Sequence, residues 1–139
     1  MILKIKTTKT FWAVTAGLLL LARAAVADSG MDRYYSDKAR AAARAGNLDM
    51  AFMYYKTLAR DTDSSYYPEA VFAMAEYYVR IPDRRTARQL FTEVVDHFSA
   101  SPAALFAMAH LLRICQERRE TEAAARWEER IIAAQQLGL

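Results

Sequence analysis

The residues able to do chemistry in this 139-residue chain are few: two histidines, one cysteine and a short arginine run. His97 and His110 stand 13 residues apart. Helical histidines share a metal ion when they sit one turn apart, as in His-Glu-x-x-His. That pattern is missing, as are a cysteine pair and carboxylates at ligand spacing. The four glycines, Gly17, Gly30, Gly46 and Gly138, are scattered, so the chain carries no glycine-rich phosphate loop. These patterns predict no catalytic residue, no metal and no cofactor, in a protein that is not an enzyme. Cys115 has no partner for an internal disulfide and reads as a small buried hydrophobe. An intermolecular or reactive thiol is the alternative. His97 falls at the end of a predicted helix, where an imidazole complements the carbonyl end of the dipole. Arg84, Arg85 and Arg88 could attract an anionic surface, but the acids around them favour a solvated helix face.

Charge divides the chain unevenly. The formal net charge is +3 and the pI about 9.1. Residues 1–27 hold Lys4, Lys6, Lys9 and Arg23 and no acid, leaving 15 basic and 16 acidic residues beyond them. The basic excess belongs to this leader, so no nucleic-acid partner is predicted. Within the leader, cationic residues precede an apolar run from Phe11 to Ala22, then small residues ending in Ala25-Val26-Ala27. That order predicts a signal peptide over 1–27, cleaved after Ala27, and a domain over 28–139 exported to the periplasm. The apolar run is well short of the roughly 20 residues that span a bilayer. An uncleaved leader is the alternative, and the one route to membrane association. No cysteine near the cleavage site is available for lipid attachment, and twin arginines are absent.

Beyond the leader, apolar steps of three and four predict one-sided helices. Val71, Met74, Ala75 and Tyr78 share a face, as do Leu105, Met108, Ala109 and Leu112. Alanine in each set lets a paired helix approach closely. The pattern also recurs. Met74-Ala75 returns as Met108-Ala109 and Pro68 as Pro102 after 34 residues, while Ala51 and Tyr55 return as Ala87 and Phe91 after 36. Periods of this length mark helix pairs that must stack to bury their stripes. Gly46-Asn47, Pro82-Asp83 and the Ser-to-Pro segments 65–68 and 99–102 break the helices. Six helices follow, near 32–45, 48–61, 68–80, 83–98, 102–117 and 120–136. All eight tyrosines occur as adjacent pairs, and at the helical ones one ring can enter the core while its neighbour reaches a flank.

These residues resemble the tetratricopeptide repeat family. The strongest match is Gly46-Asn47-Leu48-Asp49-Met50-Ala51 leading to Tyr54-Tyr55 and Leu58, a glycine turn followed by a small alanine and a large aromatic. The stretch from Tyr67-Pro68-Glu69-Ala70 through Phe91, Val94 and Val95 to Ser101-Pro102 is similar to repeats in periplasmic envelope proteins, such as the Tol-Pal coordinator and the outer-membrane assembly lipoproteins. Departures are Lys38, where a large apolar residue is usual, and Ala39, Ala75 and Ala109 in place of glycine. The last pair could be a cap, its second helix set on either Ala123 or Ala124. The resemblance implies an all-α fold: a short right-handed solenoid of about three helix-turn-helix pairs, whose first helices line a concave groove. Partner-binding residues implied on that inner face are Arg33, Arg40 and Arg44, then Phe72, Glu76 and Arg80, then Phe106, His110 and Arg113. Phe72 and Phe106 would serve either as groove anchors or as superhelix core. The expected role is an exported adaptor that binds a peptide or a partner domain of another protein. The alternative is a structural subunit of a secretion or envelope complex that packs through its solenoid ends, with self-association into a homo-oligomer compatible with both.

Overall fold

The computed structural model describes residues 30–138, so the leader and its cleavage position lie outside the described residues. Six α-helices run in order: α1 (Gly30–Arg44), α2 (Leu48–Leu58), α3 (Tyr67–Arg80), α4 (Arg84–His97), α5 (Pro102–Glu117) and α6 (Thr121–Gln136). Among the described residues there is no strand, and no helix is long and apolar enough to cross a membrane. Each helix packs on the one before and the one after it, with an added contact between α3 and α5. Such serial packing is compatible with a helical repeat.

Local chemistry sets the helix ends. The Asn47 side chain accepts from the Met50 N–H at 3.1 Å and starts α2. Asp83 starts α4 in the same way, accepting the Thr86 N–H at 3.1 Å and the Thr86 hydroxyl at 2.7 Å. These bonds favour the ionised form and hold the Asp83 carboxyl below its ordinary range. Gly46 ends α1 at a φ of 77°, which lets the Asn47 N–H reach back to the Ala42 carbonyl at 2.9 Å. Arg119 plays that part after α5 at a φ of 58°, with the Glu120 N–H on the Cys115 carbonyl at 2.9 Å. An arginine there is strained by its Cβ. Helix α2 stops three residues short of the expected 61, because Asp61 turns its carboxylate onto the Asp63 N–H at 3.0 Å.

Two apolar clusters form the core. One joins Ala39 of α1, Ala51, Tyr55 and Leu58 of α2, and Ala70 of α3. The other joins Val71 and Ala75 of α3 to Ala87, Phe91, Val94 and Val95 of α4, then to α5 and Ala134 of α6. The second helices repeat as their spacing predicts: Ala51, Tyr55 and Leu58 are buried, and so are Ala87, Phe91 and Val94, each 36 residues on. In α6 the burial falls on Ala124, with Ala123 only partly covered. The tyrosines divide between core and flank where one of a pair is buried, as Tyr55 and Tyr67 are.

One packing stripe differs from its sequence expectation. Ala75 is buried, but Ala109 is exposed, and α5 instead buries Ala104, Ala107, Met108, Leu111, Ile114 and Cys115. Burying Leu111 and Ile114 removes more apolar area from water than burying Ala109, so the helix turns onto the larger side chains.

The arginine run is also less solvated than its composition suggests. Arg84 reaches Glu117 at 3.3 Å and Arg88 reaches Glu120 at 2.9 Å, clipping α4 to the last residue of α5 and to the turn after it. Arg88 lies 3.8 Å from the buried Cys115 sulfur, whose thiol pKa is pushed up by burial.

Two outcomes test these ends. Gly46→Ala should cost about 1 kcal/mol, because space for a Cβ exists and only the backbone geometry is penalised. Arg119→Gly should stabilise by roughly 0.5 kcal/mol; urea melts of both variants check the opposed signs. Hydrogen bonds from Arg88 and Arg118 hold the Glu120 carboxyl below its ordinary range. Their contribution is therefore complete above the unfolded carboxyl pKa of about 4.3 and lost as pH falls through the lower folded value. Melting temperature against pH should fall less steeply on the acid side in Glu120→Gln.

Candidate functional site

Residues on α3 and α5 converge on one face. Phe72 is partly buried, its ring 5.5 Å from Phe91, 5.7 Å from His110 and 6.4 Å from Phe106. The His110 ring lies flat on buried Phe91, with centroids 4.6 Å apart and planes 8° from parallel. On its edges, Nε2 lies 3.5 Å from a Glu76 carboxylate oxygen and Nδ1 lies 3.4 Å from an Arg113 guanidinium nitrogen. Arg113 also lies 3.8 Å from Glu117, one turn further along α5.

Phe106 differs from Phe72 despite the matching repeat position. Its side chain is 61% exposed, while Phe72 packs against the larger core cluster. Of the two placements open to these rings, Phe72 is at the margin of the core and Phe106 on the surface. The reason is the turn of α5 described above, which brings Ala107 and Met108 inward and leaves Phe106 at the rim.

A second part of the face lies between α1, α2 and α3. A cavity of roughly 170 Å³ is bounded by Ala43, Phe52, Tyr55, Ala73, Glu76 and Arg80, among others. Its wall is stiff: Phe52 stacks on Tyr77 with centroids 4.4 Å apart, and the Tyr77 hydroxyl donates to Asp49 at 2.6 Å. Glu76 lines the cavity and also approaches His110, so the two parts adjoin at that carboxylate. Arg80 has no ion pair among the described residues.

The nine residues implied at the inner face therefore fall into groups. Phe72, Glu76, Phe106, His110 and Arg113 come together, with Arg80 one turn beyond Glu76. On α1, Arg40 is committed to Glu69, its Nε donating at 2.7 Å and its Nη2 to the second oxygen. That bidentate pair bridges α1 and α3 and raises the Arg40 pKa still further. Arg33 and Arg44 are exposed, without an ion pair among the described residues. Sequence reasoning missed Phe52, Tyr77 and the alanines that open the cavity. Ala43 and Ala73 carried a signal, because small residues on facing helices leave room where the flanking rings do not reach. No protein-family model, curated protein or solved structure matches this chain.

The two phenylalanines should respond differently to truncation. Phe72→Ala should lose about 2 kcal/mol through lost burial against Phe91, and Phe106→Ala under roughly 0.5 kcal/mol. Thermal melts of the two variants measure the contrast.

Proposed function

We propose that this chain is an exported, tetratricopeptide-like adaptor that holds a segment of another protein across the shared face of α1, α3 and α5. The observation that carries the reading is Phe106: an exposed ring 6.4 Å from Phe72, whose ring in turn lies 5.7 Å from His110, the imidazole that Glu76 and Arg113 approach. A large apolar ring left in water gains free energy when covered, and hydrogen-bonding groups around it supply direction. The adjoining cavity adds room for a side chain, and Arg80 at its edge offers a donor to a carbonyl or carboxylate. The leader supports export, and the serial helices support the repeat reading.

An affinity-tagged full-length gene, crosslinked in intact cells, tests the proposal. The expected product is recovered from the periplasmic fraction beginning at Asp28, with a specific partner joined to α3 or α5. Phe106→Ala should reduce that partner's yield about tenfold, the effect of roughly 1.4 kcal/mol at an interface anchor, with an unchanged melting temperature. Equal capture by Phe106→Ala would reject the groove, and a retained Met1 in the membrane fraction would reject cleavage.

A further inference from the structure

Arginines crowd one edge of the molecule. Each helix pair turns back at the same end, so the turns after α1, α3 and α5 stand in a row. A cavity bounded by Gly46, Asn47, Arg80 and Ile81 joins the first turn to the second. The Arg84–Glu117 and Arg88–Glu120 ion pairs join the second to the third. Helix α1 runs toward this edge over about 21 Å, and α6 runs away from it. Gly30 and Gln136 therefore both lie at the opposite edge, and neither end of the described helices reaches the arginines.

Beyond the leader the charge is close to neutral, and the fold separates it. Residues 44–49, 80–88 and 113–122 carry eight arginines and five acids. On the opposite edge, residues 30–33, 56–63, 93–101 and 128–138 carry four basic residues and seven acids. The sign of the charge reverses across the length of a helix.

Four of the five acids at the basic edge are already engaged. Glu117 is approached by Arg84 and Arg113, and Glu120 by Arg88 and Arg118, so four guanidinium groups share two carboxylates. Asp49 accepts from Tyr77, and Asp83 caps α4. Arg44, Arg85 and Arg119 are exposed and form no ion pair among the described residues. The middle turn adds an apolar side chain, Ile81, which is 43% exposed and stands between Arg80 and Arg84 in the sequence.

Guanidinium groups are weakly hydrated and take phosphate oxygens two at a time. Here they are spread along a row of turns rather than gathered in a pocket, which suits an array of phosphates over one small anion. Ile81 fits the same target, because an apolar side chain beside cations gains by entering the boundary between lipid headgroups and acyl chains. An acidic protein segment offers the charge without that apolar layer.

We propose that this edge docks on an anionic phospholipid bilayer, with the free arginines on the headgroup phosphates and Ile81 at the acyl boundary. The contact is peripheral and needs no inserted leader. It uses none of Phe72, Glu76, Phe106 and His110, so it stands independently of partner capture at that face.

Flotation of protein produced from the full-length gene with phosphatidylcholine vesicles containing phosphatidylglycerol provides the test. The protein should float with these vesicles, less so with phosphatidylcholine alone, and less as salt is added. Arg85→Gln with Arg119→Gln should lower the partition coefficient roughly thirtyfold, about fivefold for each arginine at an anionic surface. Lys56→Gln with Arg60→Gln removes the same charge from the opposite edge, beyond a Debye length of about 10 Å, and should lower it less than about twofold. Ile81→Ser should lower it about fivefold with the salt dependence unchanged. All five positions are exposed, and circular dichroism checks that the variants fold; Arg44→Gln replaces Arg119→Gln should that variant not fold. Equal losses in the two double variants would trace binding to net charge or to the leader and overturn the proposal. So would an unaffected Ile81→Ser, or a wild type that ignores the vesicles and is held through Arg85 and Arg119 by immobilised poly-glutamate, which assigns the edge to an acidic protein.

Discussion

Helix α3 has to satisfy two cores at once. Ala70 is buried among Ala39, Ala51, Tyr55 and Leu58, while Val71 and Ala75 are buried among Ala87, Phe91 and the apolar residues of α5. Neighbouring residues on a helix diverge by about 100°, so Ala70 and Val71 naturally serve different clusters. A one-sided helix would leave the first pair without support. Two covered faces on α3 instead make the molecule continuous, and almost every other contact follows from that double burial.

Polar links then fix the register of what the apolar clusters hold. Arg40 and Glu69 join α1 to α3, Tyr77 and Asp49 join α3 to α2, and Tyr67 donates to Glu93 of α4 at 2.6 Å. The bond to Glu93 favours the protonated phenol and pushes the Tyr67 pKa up to about 12. Partly exposed pairs contribute little to stability individually, commonly about 1 kcal/mol or less. Their value lies in direction: each admits one relative position of two helices, where apolar packing alone tolerates sliding.

The same serial arrangement separates two kinds of surface. Its interior contacts are alanine-rich and close. Its face on α1, α3 and α5 mixes rings with charges, some of them paired across helices.

Composition and spacing alone determined the all-helical class of the described residues, the six helices among them and most of their ends. Glycine, proline and capping side chains act on their immediate neighbours, so their effects are written locally. The burial of Ala51, Tyr55, Ala87 and Phe91 was equally legible, because a repeated stripe has a single sensible inside. Only the tertiary structure decided which way α5 turns, and with it that Ala109 is exposed and that Phe106 differs from Phe72. It also decided that Arg40 is bound to Glu69 and that His110 lies on Phe91. Those outcomes depend on competition between stripes and on partners 19 to 29 residues away, and helical periodicity carries information about a helix's own faces but none about which neighbour covers them.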